Sequence, residues 1–299
     1  MRQYLPIAVL LATTSVMPAL LRGDETMDVI CKAFRASSSG LRSGIGTGKY
    51  RHCESKPGEE WQLKIDADLR ACFDGRKYRV DLRFERDMLG LDARRIIFDG
   101  ATIADMMLSR NIHPSGAQAW LSTPHEYDHG LAHLAWGEFP WDVSCLAKNV
   151  WVLEQLRNNK DSWQLKIEKT PDGDLVGINS SAEGGYRIRF EWPRRFGFNL
   201  GRKQLFNPGA DHPCRDSSLQ WQRDQAGLWY VRSLQETFET YKQRGKPDIR
   251  FRAVLMYNKF EPNAKVDPKL FVADTLELPA GSQIIDNRTE GKALIRRTR

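Results

Sequence analysis

The feature that most constrains the fold is a thirteen-residue stretch, 61–73, in which apolar and polar side chains alternate. The odd positions from Trp61 to Phe73 are all apolar, and the even positions as far as Arg70 are all polar. A period of two residues is that of a β-strand with one buried face and one solvated face. The dipeptide Asp74-Gly75 follows, which is typical of a hairpin turn. The sequence therefore predicts a long antiparallel hairpin here.

Strands of the same kind account for most of the remaining chain. Residues 77–84 alternate after the first turn, and a second Asp-Gly turn joins 94–98 to 101–108. The later predicted strands are 163–167, 175–179, 186–192, 196–205, 219–223, 228–241 and 249–260. Strands and helices do not alternate, which argues against a doubly wound fold. We therefore predict a mainly β (α+β) fold, a curved antiparallel sheet or incomplete β-barrel of about 10–12 strands, because so wide a sheet must twist and curl.

Two segments instead show the period of a helix, 26–37 and 144–158. Their apolar faces consist of Met27, Ile30, Cys31 and Phe34 in the first and Leu146, Val150, Leu153 and Leu156 in the second. The inside of a curled sheet is the natural place to bury such faces. We expect the sheet to enclose, or to be capped by, two or more helices.

The chain of 299 residues divides into three predicted parts. Residues 1–23 have a charged start, an apolar run and an abrupt polar switch, which predicts a signal peptide; an uncleaved anchor is the alternative. Residues 24–286 form a single β domain in which 109–144 is an irregular insertion or lid, and 287–299 is a basic tail. We expect an exported protein, periplasmic or extracellular, with membrane association left open.

The charge limits the kinds of partner that the protein can bind, and the cysteine content limits the disulfides and metal sites that it can form. The net charge of +7 favours anionic partners such as lipid head groups, and no nucleic-acid-binding motif accompanies the basic residues. The five cysteines, none at C-x-x-C spacing, are Cys31, Cys53, Cys72, Cys145 and Cys214. Their spacing excludes a zinc ribbon and leaves two interpretations open, one or two disulfides or buried free thiols.

One short motif suggests enzymatic chemistry. His125, Glu126 and His129 match the H-E-x-x-H pattern, in which two histidines bind zinc and the glutamate activates water. Pro124 precedes the motif and Gly130 interrupts it, so a supported helix is not expected there. We interpret the segment as a polar loop and expect no metal and no other cofactor, with a zinc site as the alternative.

Other catalytic patterns are equally weak. Asp66 and Asp68 fall on the solvated face of the first long strand, and no G-x-S-x-G nucleophile motif occurs. The glycine-rich run 44–48 precedes a strand instead of a helix, which favours a flexible start to that strand over a phosphate site. We predict that the protein is not an enzyme.

The apolar face of the strands is the other candidate site. It admits two interpretations, a closed core or a groove that holds an apolar ligand, because burial patterns are the same in both. The candidate ligand-binding residues are Trp61, Leu63, Ile65, Phe73, Tyr78, Val80, Leu82, Phe84, Tyr186, Ile188, Phe190 and Trp192.

The order of several motifs resembles a known family. A helix ending at Ser39–Leu41 precedes strand pairs that turn at 73–75 and 98–100, each reading Phe-Asp-Gly, and Asp267–Phe271 lies near the end. This order resembles the periplasmic lipoprotein-sorting carriers and their relatives, which include a periplasmic regulator of envelope stress. The resemblance implies an incomplete barrel with helices as a lid and acyl chains held in its concavity.

Three functional hypotheses follow. The first is an exported, non-catalytic carrier or binding protein for a lipid, a lipoprotein or another amphipathic ligand, whose partners are acyl chains and not nucleic acid. The second is an envelope protein-interaction or sensing module that uses the same fold to dock a protein. The third is a zinc-dependent hydrolase built on residues 125–129.

Overall fold

The computed structural model describes residues 23–75, 77–86, 90–109, 117–123, 163–181, 185–240, 248–272, 278–288 and 294–298. Within them lie one α-helix, α1 (Gly23–Gly40), and two short 3-10 helices, Arg194–Phe196 and Pro268–Phe271. The strands are β1 (Ser43–Ser55), β2 (Gln62–Asp74), β3 (Lys77–Arg86), β4 (Ala93–Phe98), β5 (Ile103–Leu108), β6 (Ala117–Ser122), β7 (Trp163–Lys169), β8 (Leu175–Ser181), β9 (Arg187–Trp192), β10 (Arg202–Phe206), β11 (Arg215–Arg223), β12 (Trp229–Thr240), β13 (Ile249–Pro262), β14 (Gln283–Asp286) and β15 (Leu294–Arg297).

All fifteen strands belong to one sheet, in the order β15-β14-β6-β5-β4-β3-β2-β1-β13-β12-β11-β10-β9-β8-β7. The strands β1–β6 and β7–β13 form two antiparallel meanders, which join where β1 pairs with β13. The pairing of β6 with β14 is parallel. The two edge strands, β7 and β15, are not neighbours, so the sheet is open. The prediction of a mainly β fold with a wide, unclosed antiparallel sheet is confirmed.

The predicted number of strands is wrong. Four of the fifteen strands were not predicted: β1, β6, β14 and β15. In β1, glycines replace the apolar side chains that would reveal the alternation, and in β6 Trp120 lies out of phase with Ala119 and Leu121. The strands β14 and β15 have only four residues each, too few to show a period. The last of these, β15, lies inside the predicted basic tail 287–299.

The expectation of two or more helices is not confirmed, since the described part of the chain holds a single α-helix. That helix, α1, contains the predicted segment 26–37. The second predicted helix, 144–158, lies outside the described residues, as does most of the predicted insertion 109–144 and nearly all of the predicted signal peptide.

The sheet curls towards the face that carries Tyr50, which we call the concave face. Arg94 on β4 and Glu236 on β12 both act electrostatically on the Tyr50 hydroxyl of β1. In a flat sheet with strands about 4.8 Å apart, β4 and β1 would be separated by about 14 Å and β12 would lie on the opposite side. An electrostatic effect on Tyr50 from both β4 and β12 fits a sheet whose two parts rise towards each other on this face.

The helix α1 covers the second meander on the concave face. Ile30 and Cys31 lie about one helical turn after Met27. All three are buried in a cluster with strand residues that include Trp192 and Trp221. Ile30 and Trp192 are both 0% exposed. The predicted apolar face of the helix is therefore confirmed for these three residues, and it anchors the helix to the sheet.

The first meander contributes a separate cluster on the same face. It contains the alternate residues Ala67, Leu69, Ala71 and Phe73 of β2, which pack with neighbours on β1, β3, β4, β5, β12 and β13. The opposite, convex face carries polar pairs and smaller apolar clusters, one of which packs Phe271 of the second 3-10 helix against Cys72. The alternating apolar residues of β2 therefore form part of a buried hydrophobic core.

Glycines make room for aromatic rings at the start of β1. Gly44 lies opposite Phe73, and a Cβ atom at Gly44 would come within 2.7 Å of the Phe260 ring and 2.8 Å of the Phe73 ring. Gly46 is likewise covered by the ring of Tyr257. The prediction that residues 44–48 form a flexible start before a strand is therefore wrong, since they lie inside β1 and are needed for close packing.

We predict that Gly44→Ala destabilises the fold. The added methyl group must displace a packed ring, so we expect a loss of about 1–3 kcal/mol in the free energy of unfolding. Urea denaturation followed by tryptophan fluorescence measures this loss. The control is Thr47→Val, which changes an exposed position of the same strand and should alter the free energy by less than about 0.5 kcal/mol. Equal effects of the two changes would contradict the packing role of Gly44.

Candidate functional site

The structure brings together most of the residues predicted to line the site. Phe73, Val80 and Leu82 are buried in the cluster of the first meander, with Ile65, Tyr78 and Phe84 half-buried against it. Phe190 and Trp192 are buried in the cluster under α1, with Ile188 half-buried beside them. These nine side chains lie on the concave face, whereas Tyr186 is 51% exposed just before β9. Whether any of them contacts a ligand stays a prediction.

Trp61 and Leu63 do not share this face. In the pairing of β1 with β2, Ile65 lies opposite His52 and Leu63 lies opposite Cys53, so Lys64 is an extra residue. Such a β-bulge interrupts the two-residue alternation and moves the preceding residues to the other face. Trp61 instead covers the guanidinium group of Arg252, 4.1 Å from its ring centre. The prediction that these two residues continue the apolar row is wrong.

The Tyr50 hydroxyl is the most unusual polar atom on the concave face. Tyr50 is 2% exposed, and its hydroxyl oxygen has no hydrogen-bond partner within the described part of the chain. Burial raises the pKa of this phenol, Arg94 lowers it and Glu236 raises it. A buried hydroxyl without a partner costs about 1–3 kcal/mol.

Two ion pairs flank the hydroxyl on the concave face. Arg94 donates to Asp105 through two bonds, Nε to Oδ1 at 2.8 Å and Nη2 to Oδ2 at 2.5 Å, and both side chains are almost fully buried. Arg215 pairs with Glu236, whose side chain is 4% exposed. We call Tyr50, Arg94, Asp105, Arg215 and Glu236 the charged cluster. Each arginine is matched by a carboxylate, so the formal charge of the cluster is zero.

The sequence marks one residue of each ion pair by a charge at an apolar position of an alternating strand. Arg94 is in phase with Ile96 and Phe98 on β4, and Glu236 is in phase with Leu234 and Phe238 on β12. A charged residue at an apolar position of an alternating strand implies a buried partner, since unpaired buried charges are very costly. The partners could not be named, because they depend on strand register.

His52 lies two residues beyond Tyr50 on the same face. It is 4% exposed, stacks beside Phe251 with ring centres 5.5 Å apart, and has its Nε2 atom 3.6 Å from Glu54 Oε1. Burial lowers the pKa of the imidazole, and the nearby Glu54 opposes this shift. The dominant effect of burial keeps His52 neutral at neutral pH, so it adds no charge beside the charged cluster.

The other predicted site residues are either outside the described residues or have structural roles. The H-E-x-x-H motif of His125, Glu126 and His129 lies outside them, and within them no three His, Cys, Asp or Glu side chains gather as metal ligands. Asp66 and Asp68 are on the convex face, as predicted, where Arg51 and Lys49 pair with them.

Of the cysteines that the structure describes, Cys53, Cys72 and Cys214 are free thiols and Cys31 is buried. Burial raises the pKa of the thiols of Cys53, Cys72 and Cys214, which makes them poor nucleophiles. Of the two sequence interpretations, the structure supports free thiols for Cys53, Cys72 and Cys214. The fifth, Cys145, lies outside the described residues.

No described helix has both the length and the apolar character needed to span a bilayer.

Comparisons with known proteins give weak likenesses. No family model matches the sequence, and no curated protein matches it either. A DUF1329 family protein from Desulfovibrio piger is similar at 9% identity and a TM-score of 0.43, with 87% of this chain and 100% of that chain covered. An uncharacterized conserved protein from Thermus thermophilus matches at 8% identity and a TM-score of 0.33, with 86% and 98% covered. A porin-like protein from Bacteroides uniformis matches at 7% identity and a TM-score of 0.22, with 74% and 96% covered. TM-scores this low carry no argument about family or function, and the resemblance to lipoprotein-sorting carriers stays a prediction.

We predict that the buried ion pair is far more sensitive to loss of one partner than to loss of both. Arg94→Met leaves the Asp105 carboxylate buried without its guanidinium and should cost about 3–5 kcal/mol in unfolding free energy. The double variant Arg94→Met with Asp105→Leu should recover most of this loss, because neither charge then remains. Urea denaturation of the three proteins measures both effects.

The matched control for this comparison is Arg202→Met on the convex face. Arg202 makes the same two-bond contact with Asp216, but its side chain is 42% exposed. A solvated pair contributes less than about 1 kcal/mol. If Arg94→Met and Arg202→Met cost the same, Arg94 is not buried as described.

We also predict that buried phenols make the fold sensitive to alkaline pH. Burial raises the pKa of Tyr50 and Tyr257 above the ordinary value of 10.0. Their neutral forms therefore stabilise the fold fully below about pH 10, and this stability is lost as the pH rises further. Melting temperatures measured from about pH 9 to 11 should fall less steeply in Tyr50→Phe and Tyr257→Phe than in the wild type. The exposed control Tyr186→Phe should follow the wild-type slope, and identical slopes for all four proteins would contradict burial of the two phenols.

Proposed function

We propose that the protein is an exported, non-catalytic carrier or binding protein that holds a lipid, a lipoprotein or another amphipathic ligand against the concave face. The observation that carries this proposal is the composition of that face. Apolar rows on successive strands form this face, and several of their side chains, such as Ile65 and Ile188, are only half-buried. These side chains offer an apolar surface for the chain of an amphipathic ligand.

Half-buried apolar side chains supply the proposed contact surface for the chain of the ligand. Ile65, Tyr78 and Phe84 on the first meander and Ile188 on the second pack against the buried clusters while keeping part of their surface uncovered. Covering apolar surface stabilises a complex by about 25 cal/mol per Å². The buried members of the candidate set, such as Phe73 and Trp192, then support these side chains without touching the ligand.

The charged groups of the concave face favour binding over catalysis. A general acid or base needs a side chain that can exchange a proton with the substrate. Here Arg94 and Asp105 engage each other through two hydrogen bonds, and Arg215 and Glu236 form a second pair. Because each charged group is held by its partner, it is poorly placed to exchange a proton with a substrate. Export is proposed from the N-terminal sequence alone.

A protein-docking role is the second candidate, favoured by one edge of the sheet. On the edge strand β15, Leu294 is 48% exposed and Ile295 is 64% exposed. An exposed edge strand with apolar side chains can pair with an extended segment of another protein. In this reading the fold is an envelope interaction or sensing module, and a pull-down that recovers a protein but no lipid would favour it. The zinc-hydrolase hypothesis stays a prediction.

The first experiment asks what the protein carries. Gentle purification, organic extraction and mass spectrometry should recover a lipid or other amphipath in a constant ratio to the protein. The same extraction of an unrelated exported protein from the same cells is the control. A protein that is always empty and that binds no added lipid would contradict the proposal.

We predict that Ile188→Gln weakens binding of the neutral apolar fluorophore N-phenylnaphthylamine about tenfold, a change of roughly 1.4 kcal/mol. The substitution places an amide among the proposed contacts of the chain, and a fluorescence titration measures the affinity. Ile178→Gln is the matched control, because Ile178 lies on the neighbouring strand but faces the convex side and is 42% exposed. Equal affinities of the two variants would place the binding surface elsewhere.

A further inference from the structure

We infer that the edge strand β15 binds an extended segment of another protein that carries two adjacent carboxylates followed by two β-branched apolar residues, and that this segment extends the sheet as an antiparallel strand. This inference rests on the docking role proposed above for the edge of the sheet, and it names the chemistry of the partner. It does not depend on lipid binding by the concave face.

The backbone of β15 leaves one side open. The amide of Thr298 donates to the carbonyl of Ser282 at 2.9 Å, and the carbonyl of Thr298 accepts from Gly281 at 3.0 Å, so the backbone groups of Thr298 point towards β14. Successive residues of an antiparallel strand direct these groups to opposite sides. Those of Ile295 and Arg297 therefore point away from β14, and no described strand lies on that side. An added strand would pair with them.

The side chains of β15 offer apolar surface to such a strand. All four residues of β15 are exposed, with Leu294 at 48% and Ile295 at 64%. Ile295 lies opposite Ile285 of β14, which in turn lies opposite Trp120 of β6, so the three form an apolar row that ends at the edge of the sheet. A β-branched residue on an added strand would pack against the end of this row.

The charge of β15 favours acidic residues in the partner. Arg297 is exposed and forms no hydrogen bond or ion pair with the described residues. The side chain of Arg296 is 61% exposed and lies 3.5 Å from Asp286, but Arg288 holds that carboxylate more closely, at 2.8 Å. Adjacent side chains of a strand point to opposite faces of the sheet. Two adjacent carboxylates on an added strand can therefore meet one guanidinium group each.

The same charges argue against a second copy of this chain as the partner. Two β15 strands that paired about a twofold axis would bring the Arg296 and Arg297 side chains of both copies onto one short ladder. Like charges on paired strands destabilise the pairing. An acidic partner replaces this repulsion with attraction.

The test uses the full-length protein and a fluorescein-labelled peptide, Thr-Glu-Glu-Val-Val-Thr. In an antiparallel pairing its glutamates fall opposite Arg297 and Arg296, and its valines fall opposite Ile295 and Leu294. Fluorescence anisotropy at low ionic strength measures the affinity. A peptide with glutamines in place of both glutamates should bind roughly threefold to tenfold more weakly, because it loses two exposed cross-strand ion pairs. The difference should shrink at about 1 M salt, where charges are screened.

N-methylation of the peptide tests the backbone pairing without any change to the protein. The first valine directs its N–H group towards Ile295, so methylation there should abolish measurable binding, because the methyl group replaces the donor and lies between the strands. The second valine, opposite Leu294, directs its N–H group away from β15. Methylation there is the matched control and should leave the affinity about the same.

Arg297→Glu is the corresponding change in the protein. It should remove the preference for the glutamate peptide over the glutamine peptide. The control is Lys166→Glu on the other edge strand, β7, which changes the net charge by the same amount at an exposed position. This variant should keep the wild-type preference.

The outcomes separate the chemistry of the partner from the docking role. If the glutamate and glutamine peptides bind equally, or if Lys166→Glu removes the preference as Arg297→Glu does, the inference is overturned and docking at this edge stands. Equal binding of the two methylated peptides overturns the strand pairing. If no peptide binds, or if the protein is a dimer whose Ile295 and Arg297 amides are protected from hydrogen exchange, docking of another protein at this edge fails as well. The carrier function is tested separately by the lipid extraction.

Discussion

A mainly antiparallel sheet of fifteen strands with apolar side chains along one face is unstable as a flat layer in water, because that face would remain exposed. The sheet removes this surface by curling, so that apolar rows of distant strands and the helix α1 cover one another. The glycines of β1 make the curl compatible with large rings such as Phe73 and Phe260. The convex face needs no such cover, because it carries polar pairs such as Arg202 and Asp216, which remain in contact with water.

The same curl determines which polar groups meet inside. Arg94 and Glu236 are separated by several strands in the sheet order, yet both act electrostatically on the Tyr50 hydroxyl. Buried ion pairs contribute little to stability compared with apolar residues of the same size.

The sequence predicted the strands well where side chains alternate and poorly where they do not. The long hairpin, the two Asp-Gly turns and the apolar face of α1 follow from local periodicity, and the structure confirms them. Periodicity could not reveal β1, whose glycines hide the pattern, nor the bulge at Lys64 that moves Trp61 and Leu63 to the convex face.

The charged cluster was harder to predict for a different reason. A charged residue in phase with apolar neighbours marks Arg94 and Glu236 as buried. The placement of Glu236 relative to Tyr50, however, depends on the pairing of β1 with β13, which joins segments about 200 residues apart in the chain. No local pattern contains that information. Single residues of the cluster could therefore be recognised from the sequence, but their arrangement could not.

The most direct test of the central claim measures whether both sides of the curled sheet reach Tyr50. A nitrile placed on this ring, by replacing Tyr50 with para-cyanophenylalanine, reports the local electric field through its infrared frequency. Arg94→Met removes a cation and Glu236→Gln removes an anion, so each change should shift the nitrile frequency, while Arg202→Met on the convex face should leave it unchanged. If neither Arg94→Met nor Glu236→Gln moves the frequency, the two meanders do not converge on Tyr50 and the curled architecture described for this protein is wrong.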